Sequence, residues 1–271
     1  MCNICSKIDN LTVDHVPPKF SNNKTAKHYQ VAFGLYKKPH QSREYPLKVQ
    51  NGVAYRSICA RCNNQILGIE LDTTYKKFVD NIVSMFTLSP DMFHKKQFQV
   101  RINRLTRAVL GHLLAAKNFY DDRCTVDKKL RKYVLNTSAQ LKGFKLYCFL
   151  YPYETTLVVR DMVLLQASQR IFAFSVPVGM ISCLYSFPIA FILTDEKEKL
   201  PFVDLLSFCT VSIDDERIIN LSLSDLYFPG TRTLRDPFWP CNIVDNIYGS
   251  NGVMGGLAAN GWIQAIDSKK A

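Results

Sequence analysis

The chain has 271 residues and a mass of 31.0 kDa, about twice the usual domain size, so one large domain or two modest ones fit it. With 47% hydrophobic and 12% aromatic residues and no polar low-complexity tract, it has the material of a packed core, which excludes an intrinsically disordered chain. The net charge of +11, from 34 Lys and Arg against 23 Asp and Glu, favours a polyanionic partner. The longest apolar run, ISCLYSFPIAFIL at 181–193, is shorter than the roughly 18 to 20 residues of a spanning helix and contains Pro188. It reads as buried strands meeting at a bend, so nucleic acid rather than membrane is the expected partner. The opening MCNICSKIDN lacks the apolar core of a secretory signal, which predicts a reducing, cytoplasmic compartment.

In chain order, residues 1–72 hold the four cysteines that occur in C-x-x-C pairs, with a long, polar, basic insert between them. Two amphipathic helices are predicted next. DTTYKKFVDNIVSMF from Asp72 repeats Tyr75, Phe78, Val79, Ile82 and Val83 at helical spacing, and RINRLTRAVLGHLLAAKNFY from Arg101 does so with Ile102, Leu105, Val109 and Leu113. From about Lys145 the texture changes to short β-branched and aromatic runs (KLYCFLY, TLVVRDMVLL, RIFAFSVPV, ISCLYSF, IAFILTD, RIINLSLSDL) closed by Pro, Gly, Asp or Ser. These predict a mostly antiparallel sheet. GSNGVMGGLAANGW at 249–262 is rich in glycine without the ending of a phosphate loop and reads as a flexible terminal segment. The fold class expected is α+β, divided into residues 1–72 and a helical connector with a β-rich region over 73–271.

In a reducing compartment nine cysteines do not suggest a disulfide framework, and metal binding is the natural use of those paired in sequence. Two C-x-x-C pairs complete a tetrahedral four-sulfur zinc site, here from Cys2, Cys5, Cys59 and Cys62. Cys124, Cys148, Cys183, Cys209 and Cys241 are isolated and read as small core residues. The 53 residues between the pairs are too many for a compact zinc ribbon, so the metal would clamp the ends of a larger loop.

Inside that clamp Asp14 and His15 precede Pro17 and Pro18, whose fixed φ stiffens the chain. Zinc with every position taken by sulfur is closed, so chemistry needs a second centre. Asn63 directly follows Cys62, and closing the clamp brings it toward Asp14. Two oxygen ligands with open positions suit Mg²⁺ or Mn²⁺. His15 beside such a cation can take a proton from water while the cation neutralises phosphate charge, the division of labour of phosphodiester hydrolysis. His112, in GHLLAA, and His28, His40 and His94 read as packed or solvated, and Glu70 and Asp72 as negative charge at a helix start.

The order C-x-x-C, Asp-His-x-x-Pro, C-x-x-C-Asn resembles the HNH endonucleases with a zinc-stapled ββα-metal finger. The resemblance covers residues 2 to about 72, including CNNQILGIELD. It implies that Asp14 and Asn63 hold the catalytic divalent ion, that His15 is the general base, and that the setting is restriction or anti-phage defence. One position departs from the pattern: where the family has a middle Asn that fastens the ββ loop this chain has Ala54, leaving Asn51 in a shifted register, or Arg56 or Ser57, for that role.

From Lys19 to Arg61 nine positive side chains face Glu44 alone, a local +8 of the chain's +11. Lys19, Lys37, Lys38, Arg56 and Arg61 are the expected phosphate contacts. Tyr29, Phe33, Tyr36 and Tyr45 either stack on bases or anchor the loop. The expected function is metal-dependent endonuclease activity, DNA favoured over RNA. The alternatives are a non-catalytic zinc-stabilised nucleic-acid-binding module and a subunit that docks an acidic protein.

Overall fold

The computed structural model describes residues 1–23, 27–31, 47–49, 52–86, 96–117, 119–153, 156–164, 179–210, 217–226, 247–248 and 251–256. Strands β1 (Leu11–His15), β2 (Lys27–Val31), β3 (Leu47–Val49) and β4 (Ala54–Cys59) precede helix α1 (Arg61–Leu71), which is wound as a π-helix and runs into α2 (Asp72–Met85). β1 and β4 pair antiparallel, Leu11 opposite Cys59 and His15 opposite Ala54, with an irregularity between Thr12 and Val13. The result is a two-stranded hairpin whose second strand leads directly into a helix.

α2 forms where the periodicity predicts it and buries Tyr75, Phe78, Val79, Ile82 and Met85. Val83 falls off that stripe and is 41% exposed. Strand β5 (Gln97–Arg101) then leads into α3 (Ile102–Ala115). The sequence predicts an amphipathic α3, but the helix is buried almost all round. Part of its polar face is covered because Arg107 finds partners on the next helix. Arg107 Nε donates to Tyr133 O (3.1 Å) and its terminal nitrogen to Thr137 O (2.6 Å), satisfying carbonyls at the end of α4 (Thr125–Leu135). Gly111 lets α1 cross closely, since a Cβ there would sit 2.5 Å from Leu67 Cδ2.

The remaining strands are β6 (Phe144–Leu150), β7 (Thr156–Leu164), β8 (Gly179–Ser186), β9 (Ile189–Asp195), β10 (Val203–Asp204), β11 (Ile218–Ser222), β12 (Ile247–Tyr248) and β13 (Asn251–Gly256), with a short helix α5 (Leu223–Leu226) after β11. Most join one sheet in the order β10-β6-β9-β8-β7-β13-β2-β3, while β11 pairs with β5 alone. Every pairing among the described residues is antiparallel. The run at 181–193 is a hairpin: Ser186 faces Ile189 across the turn Phe187–Pro188. Along β6, Leu146 and Cys148 enter one core while Tyr147 and Phe149 enter a second on the opposite face. Burial on both faces explains why these strands read as continuous apolar runs.

Two findings differ from the sequence reading. Asn251–Gly256 was expected to be a loose tail, yet it pairs as β13 with β7 on one side and β2 on the other. Through it the clamped insert contributes β2 and β3 to the C-terminal sheet. The larger core is likewise continuous, running from Cys2 and Ile4 through α2 and α3 to Leu226. Among the described residues no helix is long and apolar enough to cross a membrane.

Candidate metal centre and the Asp14 site

Cys2 and Cys5 lie on a tight turn in which Ser6 N donates to Cys2 O (3.0 Å) and Cys2 N to Lys7 O (2.9 Å). Ser6 takes a left-handed φ of 59° there. Cys59 ends β4 and Cys62 lies in the first turn of α1, so hairpin and helix present the second pair to the first. Sulfur atoms of Cys2, Cys5, Cys59 and Cys62 all lie within 4.8 Å of one another, three of the residues buried and Cys5 half-buried. Cys5 and Cys59 Sγ are 3.7 Å apart, and Cys59 N donates to Cys2 Sγ (3.3 Å). The Cys62 thiol donating to Cys2 lowers the Cys2 pKa to about 4, helped by backbone amides and opposed by burial. The same bond, with burial, pushes Cys62 well up. Four crowded sulfurs thus compete for protons, and the cluster could hold a zinc ion, whose charge would keep all four as thiolates.

This knuckle is seated on the centre of the protein through Asn3. Asn3 N donates to Ser57 O (2.9 Å), and its amide donates to Lys117 O (2.9 Å) and Leu114 O (3.3 Å). Ser57 Oγ donates to Ala115 O (2.6 Å). The open carbonyls at the end of α3 are therefore satisfied by residues beside the cysteines. Asn3 O accepts in turn from Arg131 Nε of α4 (2.9 Å).

On β1, Asp14 is buried, while Val13 before it is 50% exposed and His15 after it is half-buried. Asp14 faces α3: His112 Nδ1 lies 3.4 Å from Asp14 Oδ2, and His112 Nε2 lies 2.8 Å from Asp72 Oδ1 at the start of α2. Burial alone would lower the pKa of this imidazole, but Asp72 and Asp14 outweigh it and raise it to about 10, so His112 is an imidazolium held between two carboxylates. The sequence reading left His112 as a packed side chain and Asp72 as a helix-start charge. Asp72 does begin α2, and its carboxylate also serves His112. A histidine set in the apolar stretch GHLLAA was the visible signal; its partners, 40 and 98 positions away, were not.

Asn63 reaches β1 as expected, though its contacts are to the strand backbone and to Thr12. Its amide nitrogen donates to Val13 O (3.1 Å) and Thr12 Oγ1 (3.1 Å), and its carbonyl oxygen is an acceptor or ligand atom outside those two bonds. The fastening of the loop after His15 falls to a residue the sequence reading did not consider. Asn23 donates to Pro17 O (2.5 Å) and Val53 O (3.0 Å) and accepts from Val53 N (2.9 Å). Gly52, at φ 82°, fits tightly beneath it, since a Cβ would lie 2.2 Å from Asn23 O. Of the candidates for that role, Arg56 points to solvent, Ser57 bonds to α3, and Asn51 lies outside the described residues.

Lys19, Arg56 and Arg61 are exposed around this module. Lys37 and Lys38 lie outside the described residues, as do the side chains of Tyr29, Phe33, Tyr36 and Tyr45.

A second group with metal-ligand chemistry lies where α3, α4 and β7 meet, formed by Cys124, Asp127 and Asp161. Its centre is occupied by cations of the chain itself. Lys117 Nζ bonds Asp127 Oδ2 (2.6 Å) and Asp161, and Arg160 bonds Asp127 Oδ1 (2.7 Å) and Asp161 Oδ1 (3.1 Å). Burial would raise the Asp161 pKa, but Arg160 and Lys117 hold it below the usual carboxylate range. No protein-family model matches the chain, and neither a curated protein nor a solved structure matches it.

Proposed function

We propose that residues 1–72 form a zinc-stapled nuclease module that hydrolyses phosphodiester bonds with the help of a divalent ion, DNA being the favoured substrate. One observation carries this reading. The cysteine cluster ties the turn before β1 to β4 and α1, and Asp14 and His15 follow one another on a strand which Asn63 grips at Val13 O. The carboxylate of Asp14 and the carbonyl oxygen of Asn63 are hard donors that fit Mg²⁺ or Mn²⁺. When bound, such an ion supplies charge neutralisation at the phosphate and the leaving oxygen. His15 takes the proton of the attacking water. Lys19, Arg56 and Arg61 hold the phosphate backbone.

A second reading, a zinc-stabilised module that binds nucleic acid without cutting it, is favoured by the burial of Asp14 against His112. Incubating the zinc-loaded protein with plasmid or RNA, with and without added Mg²⁺ or Mn²⁺, separates the two. The nuclease reading expects cleavage that depends on the added ion. It also expects His15→Ala to lose about 10² to 10⁴ in rate while keeping zinc content and nucleic-acid affinity. Salt-dependent binding with no strand cleavage by wild type selects the second reading, and equal cleavage by His15→Ala removes His15 from the mechanism.

A further inference from the structure

Beside the candidate site lies a pocket of about 430 Å³ that the nuclease reading does not use. Its walls come from four parts of the chain: Lys19, Phe20 and Asn22 of the loop after His15, Val79 and Val83 of α2, Pro152 after β6, and Phe187 and Pro188 at the β8–β9 turn. The volume falls in the range of small-ligand pockets. The pocket is linked to Asp14 by a short series of contacts. Phe20 meets the Tyr75 ring edge-on at 5.2 Å, Tyr75 lies 6.2 Å from the His112 ring, and His112 faces Asp14.

Its chemistry is uneven in an informative way. The apolar side opens to solvent at Val83, 41% exposed, and Phe187 is braced by Phe86, which lies outside the lining and stacks on it at 5.8 Å. At the rim stands the exposed ammonium of Lys19, within a region that carries +8 of the chain's charge. Flat apolar and aromatic surface beside a cation suits one face of a nucleobase with its phosphate alongside, the combination that single-strand binders use. An uncharged acyl chain would not need the cation, and a free phosphate would not need the rings.

On the nuclease reading above, we propose that this pocket receives one unstacked nucleotide next to the scissile phosphate, the base against Phe187 and Val83 and its phosphate at Lys19. The preferred substrate is then nucleic acid with an unpaired base beside the cleavage point, such as a single-stranded overhang or flap, rather than uniform duplex. The β8–β9 hairpin thereby supplies one wall of a substrate site.

The test uses zinc-loaded full chain without added Mg²⁺ and DNA hairpins with a single-stranded overhang, carrying 2-aminopurine at successive overhang positions. One position is expected to change emission on binding. Phe187→Ala, which removes the platform, and Val83→Trp, which fills the pocket from an exposed helix position without altering charge, should each abolish that change. Each should weaken overhang binding about 5- to 150-fold, the worth of one stacked base, and leave blunt-duplex affinity unchanged. Val83→Trp keeps the test valid should Phe187→Ala fold poorly. Unchanged overhang affinity and emission in Val83→Trp overturns the pocket assignment alone, provided wild type binds DNA in a salt-dependent way. If wild type binds no nucleic acid, the assignment and the nuclease reading fall together. If Val83→Trp alters only the mass of the protein in solution, the pocket seats a second copy and the assignment is wrong.

Discussion

Among the described residues two clusters bring together side chains able to hold a metal, and they differ in what fills their centre. Among the described residues the sulfurs of Cys2, Cys5, Cys59 and Cys62 bond with one another and with a backbone amide, and no ion pair to them is seen. At Cys124, Asp127 and Asp161 the chain supplies Lys117 and Arg160, with Arg131 at 3.9 Å from Asp127. The first could hold an external cation, whose charge would keep its sulfurs as thiolates, whereas the second is already balanced. Ligand geometry alone therefore does not define a metal site; the counter-charge the fold provides has to be subtracted first. The two clusters also meet, because Arg131 and the Lys117 carbonyl both hold Asn3 between the first cysteines.

The largest effect should come from removing the external cation. Freshly purified protein is expected to contain one zinc per chain, Cys59→Ser to lose it, and Cys124→Ser to keep it. Structural zinc contributes apparent binding free energies of about 10 to 16 kcal/mol in small modules, comparable with the whole stability of a domain. Because Cys2 and Ile4 belong to the same core as α2 and α3, Cys59→Ser should unfold more than its own loop. Elemental analysis with thermal melts checks this. Two zincs per chain, or a zinc that survives Cys59→Ser, would break the contrast.

Removing an internal cation should cost less but still a great deal. Lys117→Met leaves Asp127 and Asp161 buried with less compensation, and breaking a buried ion pair from one side costs about 3 to 5 kcal/mol. Urea unfolding of the zinc-loaded protein should show this without loss of zinc. Adding Asp161→Asn should recover part of the loss, since it removes one of the orphaned charges. If Lys117→Met is neutral, or if it gains a second zinc, the cluster is a metal site and not an ion-pair network.

What could be read from the sequence follows the range of the interaction concerned. The cysteine pairs are local signals, as are the apolar stripe of α2 and the apolar run of β6, and each maps onto the fold. Helix α4 was missed because TVDKKLRKYVL shows little but charge until Leu130, Tyr133 and Val134 are seen to be its buried stripe. The polar face of α3 was misjudged because no local rule tells a solvated Arg107 from one bonded to carbonyls 26 and 30 residues away. Asn3, Asn23 and the Asp14–His112–Asp72 array escaped for the same reason: each polar side chain has a partner 30 or more positions away. The candidate site is thus legible in its ligands and illegible in its supports.

The smallest expected effect tests one of those supports, the imidazolium between Asp14 and Asp72. Its pKa in the folded protein, about 10, lies above the 6.5 of an unperturbed histidine. Folding therefore takes up a proton, and stability from this group is fully present below about pH 6.5 and falls as pH rises toward 10. A hydrogen bond to a charged group is worth about 1.5 to 3 kcal/mol, which sets the scale of the loss. Lysines and tyrosines also titrate near the upper end of that window, so the informative quantity is the difference between wild type and His112→Gln, which cannot take the proton. Wild type should hold its largest advantage over His112→Gln at and below about pH 6.5, and the advantage should shrink steadily up to pH 10. A difference that stays constant across the window would show that His112 is neutral and only fills space, and it would remove charge from the support of Asp14.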